Sequence, residues 1–135
     1  MGRFVDRNVL VTGASTGIGR ACAIRFAEEG ANVAINYNRS EGEAKKTAVA
    51  VHKAHELQGH TNADYITVRA DIGHEDQILD MFRSTLNAFG RLDVLINNSG
   101  ILWSSPSHEL PSEDFDRIIG VNLRGAYLCC REAIA

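Results

Sequence analysis

The chain has 135 residues, of which 44% are hydrophobic and 23% charged, so we expect one globular domain spanning residues 1–135. A formal net charge of −3 and the lack of a basic stripe argue against a nucleic-acid partner. No apolar run reaches about 18 residues, the length that a membrane span needs, and the N-terminus lacks a signal-peptide core. We therefore expect no membrane association. The cysteine pattern described below favours a reducing, cytoplasmic location.

Strand and helix patterns alternate in chain order. Strands are predicted at residues 8–12, 32–37, 65–69 and 92–97, and helices at residues 18–29, 41–58, 75–89 and from 112 onward. The strands are short and largely apolar, and glycines follow the first and third helices. This β-α-β-α-β-α-β-α order predicts an α/β fold with a doubly wound parallel sheet. The connection from the third strand to the fourth must cross to the free side of the first, so we expect the spatial order 3-2-1-4.

Apolar spacing predicts which face of each later helix is buried. The second helix has a thin stripe and should pack lightly on a sheet edge, whereas the third helix has the clearest stripe. These stripes are Ala44, Ala48, Val51 and His55 in the second helix and Leu79, Phe82, Leu86 and Phe89 in the third. Ser112 is predicted to be the N-cap of the last helix, which we expect to bend near Gly120 or Gly125.

The cysteines and histidines predict no metal site. Cys22, Cys129 and Cys130 form no C-x-x-C pair and lie among apolar neighbours in helical patterns, which favours buried, reduced thiols. His52 and His55 are three residues apart and could share a metal ion, but no third ligand is evident in the sequence.

The most informative stretch is T-G-A-S-T-G-I-G at residues 12–19, between the first strand and the first helix. Gly13 permits a tight turn, Gly17 lets the backbone approach a phosphate, and Gly19 lets the helix pack closely. Unpaired N–H groups at the helix start and the helix dipole favour an anion there. The spacing differs from the G-x-G-x-x-G dinucleotide fingerprint, so a glycine-rich turn in another kind of α/β protein stays open at this point.

Residues 12–19 resemble the T-G-x-x-x-G-x-G signature of the short-chain dehydrogenase/reductase family, and three further stretches agree with that family in order and spacing. Asp71–Ile72 follows the third strand, where the family has an aspartate near the adenine. The segment L-D-V-L-I-N-N-S-G at residues 92–100 resembles the family's fourth strand and N-N-A-G motif, and Val121–Asn122 resembles its helix asparagine. Ser99 replaces the usual alanine, and we expect its added hydroxyl to be tolerated.

This resemblance implies a Rossmann-like fold and reversible hydride transfer between a nicotinamide cofactor and a small-molecule carbonyl/alcohol substrate. The substrate type stays open between those of 3-oxoacyl-thioester reductases and those of sugar dehydrogenases, and the complete enzyme is expected to be a homo-oligomer, either a dimer or a tetramer. The residues that the resemblance assigns to cofactor binding are Gly13, Ser15, Thr16, Gly17, Ile18, Gly19, Tyr37, Arg39, Ser40, Asp71, Ile72, Asn98, Ser99 and Gly100.

Several of these residues have a simpler alternative role. Asp71 could merely cap the turn into the next helix. Asn97, beside the binding candidate Asn98, is expected to be structural, with its amide joining neighbouring backbone. Asn122 is the only member of the family's catalytic set that carries over to this chain, where the resemblance implies that it holds a water molecule in a proton relay. Asn122 could instead be a helix-bending residue that binds backbone and water.

The family's catalytic tyrosine and lysine form a Y-x-x-x-K pattern that this sequence lacks. Four residues after Tyr37, Tyr65 and Tyr127 stand Glu41, Arg69 and Arg131. The chain therefore looks like the N-terminal, cofactor-binding half of such an enzyme, with a sheet that is incomplete at the C-terminus and no activity of its own. A non-catalytic nucleotide-binding module and a truncated fragment remain as alternatives.

The end of the second strand predicts which dinucleotide is used. NAD-specific Rossmann sites carry an acid about 20 residues beyond the glycines. Here the sequence is N-Y-N-R-S at residues 36–40, similar to segments of NADP-using family members, with no acid before Glu41. Arg39 and Ser40 could bind a 2′-phosphate, although Arg39 could also be an ordinary exposed loop residue. From Arg39 and Ser40 we expect NADP as the cofactor. NAD is also possible, because Thr16 stands where many NADP-preferring relatives have a basic residue.

Overall fold

Strands and helices alternate in the computed structural model, which describes residues 2–135. The strands are β1 (Asn8–Val11), β2 (Asn32–Tyr37), β3 (Tyr65–Arg69) and β4 (Val94–Ile96), and the α-helices are α1 (Gly17–Glu28), α2 (Glu41–Leu57), α3 (Glu75–Phe89), α4 (Ser112–Ile119) and α5 (Ala126–Ile134). A 3-10 turn (Ser107–Glu109) precedes α4, and a π-helical segment (Gly120–Gly125) joins α4 to α5. The predicted order of elements is confirmed, but β4 is shorter than the predicted 92–97.

The four strands form one parallel sheet in the order β3-β2-β1-β4, as predicted. In the central strand β1, Val9 pairs in register with Val33 of β2 and with Val94 of β4. The chain runs outward from β1 to β3 and then returns to the other side of β1. The direction of winding therefore reverses between β1 and β4, and ligands of open α/β sheets bind at the carboxyl ends of strands at such a reversal.

Helices cover both faces of the sheet, and alternate residues of β1 supply the two cores. Val9 and Val11 belong to the core beneath α1 and α2, whereas Leu10 belongs to the core beneath α3 and α5. All three side chains are fully buried. Two-sided burial requires an uninterrupted apolar strand, which explains why V-L-V carries no alternation of polar and apolar residues.

Two of the predicted helix faces need correction. The buried residues of α2 are Ala44, Val51 and His55 of the predicted stripe together with Thr47 and Ala54, whereas Ala48 is only partly buried. The helix packs against α1 as well as β2 and β3, rather than lightly on a sheet edge. In α3 the buried residues are Ile78, Met81, Phe82 and Thr85, whereas Leu86 is 43% exposed. The buried hydroxyl of Thr85 donates to the Met81 carbonyl at 2.9 Å, so a polar residue fits on the inner face while a leucine lies outside it.

Two local predictions in the C-terminal helices are wrong. Pro111, not Ser112, occupies the N-cap of α4, and Ser112 is the first helical residue. Cys130 is exposed, while Cys129 is buried and Cys22 is half-buried. Consecutive helical residues point about 100° apart, so α5 turns Cys130 away from the core that Cys129 enters.

The irregular segment between α4 and α5 falls where a bend was predicted, since it begins at Gly120 and ends at Gly125. A Cβ at Gly125 would collide with the backbone carbonyl of Ile72, so this glycine lets the helix pack directly against the loop after β3. None of the helices within residues 2–135 is both long enough and apolar enough to cross a membrane.

Candidate functional site

The carboxyl ends of the strands open onto one cleft with a volume of about 530 Å³. Every predicted binding residue except Gly19 lines it, namely Gly13, Ser15, Thr16, Gly17, Ile18, Tyr37, Arg39, Ser40, Asp71, Ile72, Asn98, Ser99 and Gly100. The lining also includes residues that were not among the predicted binding residues, namely Asn36, Asn38, Ala70, Ile101, Arg117 and Val121. The cleft lies at the reversal between β1 and β4.

The three glycines of the loop between β1 and α1 meet three different requirements. Gly13 and Gly17 have φ angles of +60° and +59°, a backbone conformation that side chains disfavour. A Cβ at Gly17 would meet no atom of the described residues within 4 Å apart from neighbouring backbone, so it would project into open space at the cleft. A Cβ at Gly19 would instead collide with the Gly13 carbonyl and lie 2.6 Å from the Asn98 amide. Gly19 thus permits close packing behind the cleft wall, which is why it does not line the cleft.

The start of α1 forms part of the same wall. Thr16 occupies the N-cap in an extended conformation, and its side chain makes no capping hydrogen bond. The first N–H groups of a helix have no acceptor within the helix, and they carry the positive end of its dipole. Because Gly17 and Ile18 line the cleft, an anion in it would meet this helix end.

Asn36 holds the glycine loop from the neighbouring strand. Its side chain is 1% exposed, and its Oδ1 accepts a 3.0 Å hydrogen bond from the Gly13 N–H. Its Nδ2 donates to the carbonyls of Val68 and Ala70, at 3.2 and 3.3 Å. The only sequence signal for this role is an amide directly after the apolar run V-A-I of β2, in a strand position where asparagine is disfavoured.

Thr12 and Asn98 join the glycine loop to the chain that follows β4. The buried Thr12 hydroxyl accepts from the N–H groups of Asn98 and Ser99, at 3.0 and 2.9 Å. In return, the Nδ2 of Asn98 donates to the carbonyls of Thr12 and Gly13, both at 3.1 Å. The Asn98 side chain thus fixes the shape of the cleft wall, and its amide hydrogens are directed to protein backbone.

Asp71 caps a turn and also lines the cleft. Its Oδ1 accepts from the Gly73 N–H at 2.8 Å, which caps the turn into α3, while its own N–H donates to Gln77 at 2.8 Å. The residue nevertheless lines the cleft together with the nearly buried Ile72. Asp71 therefore caps the turn, as the simpler alternative predicted, and it still faces the cleft.

Asn122 binds backbone. Its Oδ1 accepts from the Ile101 N–H at 2.8 Å and its Nδ2 donates to the Ile101 carbonyl at 2.9 Å. Asn122 lies in the π-helical segment and does not itself line the cleft, although Ile101 does. Asn97 donates to the Ala126 carbonyl at 2.9 Å, the structural role expected for it.

His52 and His55, which were considered as metal ligands, have different partners. Nε2 of His52 lies 2.9 Å from Glu56, whereas Nε2 of His55 donates to the Ala31 carbonyl at 2.8 Å on the buried side of the helix. Within the part of the chain that the structure describes, no group of three or more histidine, cysteine or acidic side chains converges on a point where it could hold a metal ion.

Two arginines, Arg39 and Arg117, line the cleft. Neither guanidinium forms an ion pair within residues 2–135. The nearby acids of α2 have cations beside them, since Glu41 lies 3.8 Å from Lys45 and Glu43 lies 2.8 Å from Arg20. The hydrogen bond from Arg20, followed by that from Lys46, lowers the pKa of Glu43. A negatively charged ligand would therefore meet an available guanidinium at Arg39.

A sequence profile of the family described as "short chain dehydrogenase" matches residues 7–135. The chain belongs to the short-chain dehydrogenase family. Glucose 1-dehydrogenase of Gluconobacter oxydans is 41% identical over 132 residues, covering 98% of this chain and 47% of that relative. A 3-oxoacyl-(acyl-carrier-protein) reductase of Staphylococcus aureus is 37% identical, covering 96% of this chain and 50% of the relative. The chain thus spans about half the length of the curated relatives it matches.

Solved structures of short-chain dehydrogenases share the fold. A short-chain dehydrogenase from Burkholderia cenocepacia J2315 in complex with NADP superposes with a TM-score of 0.89 and is 31% identical, covering 98% of this chain and 51% of that one. Levodione reductase superposes with a TM-score of 0.88 and is 34% identical, covering 98% of this chain and 49% of that one. The fold of this chain therefore corresponds to about half of each of these dehydrogenase chains.

Proposed function

We propose that the cleft binds NADP(H) and that the full-length protein is an oxidoreductase that transfers hydride between this cofactor and a carbonyl/alcohol substrate. In this proposal, residues 1–135 make up the dinucleotide-binding domain. The observation that carries the proposal is the presence, in one cleft, of a helix start at Gly17 without a side-chain cap and of the Arg39 guanidinium, which forms no ion pair with any described residue (2–135). The helix start suits the pyrophosphate of NADP(H), and the Arg39 guanidinium suits its 2′-phosphate.

Around Gly17 and the start of α1, the residues of the cleft fit a pyrophosphate. Gly17 leaves the space that a side chain would fill, and its positive φ is compatible with glycine. The N–H groups of the first turn of α1 would bind the phosphate oxygens, with the helix dipole adding a favourable field. Ser15 and Thr16 line the same stretch and would supply hydroxyl donors.

Around Arg39 and Ser40, the residues of the cleft fit a ribose that carries a 2′-phosphate better than one with a free 2′-hydroxyl. Arg39 and Ser40 offer a guanidinium and a hydroxyl, and the strand end lacks the acid that binds the ribose 2′-hydroxyl in NAD-specific sites. A guanidinium makes charge-assisted and often bidentate bonds with phosphate. Because Thr16 supplies no second positive charge, NAD(H) should still bind, but more weakly.

The remaining predicted residues would hold the rest of the cofactor. Asp71 and Ile72 would lie against the adenine, and Asn98–Gly100 would form the wall opposite the glycine loop. When bound, the nicotinamide accepts or supplies the hydride. Asn122 would act by holding Ile101, because both polar atoms of its side chain bond to that backbone.

The substrate is proposed only by class. The names of the relatives include a glucose 1-dehydrogenase, a levodione reductase and a 3-oxoacyl-(acyl-carrier-protein) reductase. We therefore propose a ketone or secondary-alcohol substrate of the sugar or 3-oxoacyl-thioester type. A non-catalytic nucleotide-binding module is the second candidate, because no tyrosine in these 135 residues is followed four positions later by lysine.

The test is calorimetric titration of the full-length protein with NADPH and NADH, followed by assays of cofactor oxidation with 3-oxoacyl thioesters and of cofactor reduction with sugars. The proposal predicts tighter binding of NADPH than of NADH, and turnover with at least one of these substrate classes. Binding without turnover would favour the non-catalytic module. A protein that binds neither dinucleotide would overturn the proposal.

A further inference from the structure

Arg20 connects three segments of the chain behind the cleft wall. It lies in the first turns of α1, and its Nε donates to the Thr47 hydroxyl of α2 at 2.9 Å. Its Nη2 donates to the Ser15 carbonyl in the glycine loop and, at 2.8 Å, to the carboxylate of Glu43 in α2. The guanidinium therefore links the start of α1, the glycine loop and α2.

Arg20, Glu43 and Thr47 together are called the latch below. Thr47 contributes to it from α2. Its side chain is fully buried, and its hydroxyl donates to the Ala14 carbonyl at 2.9 Å while accepting from Arg20. The carbonyls of Ala14 and Ser15 are thus both held from behind by side chains that do not line the cleft. With these carbonyls fixed, the loop has a defined orientation toward the cleft.

The latch also fixes the position of the residues proposed to bind the 2′-phosphate. Arg39 and Ser40 immediately precede α2, and Glu43 and Thr47 lie in the first two turns of that helix. A guanidinium is a planar, rigid fork, so its bonds to both sides constrain the distance between the glycine loop and the start of α2. The pyrophosphate and the 2′-phosphate of one dinucleotide lie a set distance apart, so the glycine loop and the start of α2 must be separated by a matching distance. When the protein fixes this distance before the cofactor binds, less conformational entropy is lost on binding.

We propose that Arg20 is a positioning residue for NADP(H): through Thr47 and Glu43 it holds the glycine loop at the correct distance from Arg39, and it thereby sets the preference for a 2′-phosphate. This inference rests on the proposed function. A merely structural role of Arg20 would change the stability of the protein, or change the affinities for NADPH and NADH equally. The proposed role changes the ratio of the two affinities.

The experiment measures calorimetric affinities for NADPH and NADH in the full-length protein carrying Arg20→Met, Thr47→Val or Thr47→Ser. Arg20→Met and Thr47→Val should each reduce the ratio of NADPH to NADH affinity, by about tenfold for Arg20→Met, because a hydrogen-bonded charge is lost. Thr47→Ser keeps the hydroxyl and should retain the wild-type ratio. Arg25→Met is the matched control, since Arg25 lies on the same helix but pairs with Glu28 and Glu29 away from the cleft.

Combining Arg20→Met with Arg39→Ala provides a second readout. If the latch acts through Arg39, the double variant should have the same NADPH to NADH ratio as Arg39→Ala alone. Thr47→Val is nearly isosteric and tests the latch even if Arg20→Met does not fold. A wild-type protein that binds NADPH, with both latch variants keeping its ratio, overturns this inference alone. A wild-type protein that binds neither dinucleotide overturns the proposed function as well.

Discussion

The N–H group of Gly13 donates a 3.0 Å hydrogen bond to Oδ1 of Asn36, so a side chain of β2 holds the first turn of the glycine loop. The same asparagine donates to the carbonyls of Val68 and Ala70 at the end of β3. One buried amide therefore connects three neighbouring strand ends beneath the cleft. A strand valine at this position would satisfy none of these groups.

Asn36→Ala should destabilise the protein by about 1–3 kcal/mol, because it leaves buried backbone groups without partners. Urea denaturation of the variant and the wild type measures this loss. Asn38→Ala is the control: it removes an amide two residues along the chain but keeps the backbone carbonyl that accepts from Arg69. Equal stabilities for Asn36→Ala and the wild type would show that the bond to Gly13 does not support the loop.

Gly17→Val should abolish dinucleotide binding while leaving most of the fold intact. The new side chain would project into the cleft, and the φ of +59° would strain the backbone by about 1–3 kcal/mol. Gly59→Val separates these effects, because Gly59 has a φ of +74° and equally open surroundings but does not line the cleft. Calorimetry and far-UV circular dichroism should show loss of binding only for Gly17→Val, and unchanged affinity in that variant would rule out a phosphate-binding role for the loop.

Arg39→Ala should weaken binding of NADP(H) much more than binding of NAD(H), by about 1.5–3 kcal/mol if one hydrogen bond to a charged group is lost. Lys45→Ala removes the same charge from the exposed face of α2, outside the cleft, and should change neither affinity appreciably. Calorimetric titration with each cofactor gives the comparison. An equal loss for both cofactors, or a wild-type preference for NAD(H), would show that Arg39 does not recognise the 2′-phosphate.

His55 should make the stability fall at mildly acidic pH. Burial lowers the pKa of His55 below its ordinary value of 6.5, so the unfolded state binds a proton first as pH falls. The free energy of unfolding should therefore decrease below about pH 6.5, down to the pKa of the folded state, and be unaffected by this group above that range. Urea denaturation of the wild type and His55→Gln between about pH 5 and pH 7.5 should show a smaller slope in the variant.

Residues 1–135 by themselves should not catalyse hydride transfer. They contain no tyrosine–lysine pair with the family's spacing, and general acid–base catalysis typically contributes about 10²–10⁴-fold to a rate. The measurement is cofactor oxidation by the purified polypeptide of verified mass, beside the full-length protein at equal concentration. Turnover by the shorter chain near the rate of the full-length protein would disprove this expectation.

Local sequence determined the order of elements, the parallel sheet and the position of the cleft. Apolar runs such as V-L-V of β1 report burial on both faces, and the glycines at positions 13, 17 and 19 report backbone shapes that other residues disfavour. The alternation of strands and helices then leaves few topologies, and the order 3-2-1-4 follows from the crossover. These features depend on neighbours in the sequence, which is why they could be predicted from it.

Only the tertiary structure decided which polar side chains support that cleft. Gly13 and Asn36 are 23 residues apart in the chain, and Thr12 and Asn98 are 86 apart, so no local period relates the partners. The orientation of α3, which leaves Leu86 exposed, and the direction of Cys130 likewise depend on how whole helices pack. A buried hydrogen bond requires two groups to meet within a few tenths of an ångström, and such a meeting arises from the packing of complete elements rather than from the sequence of either one.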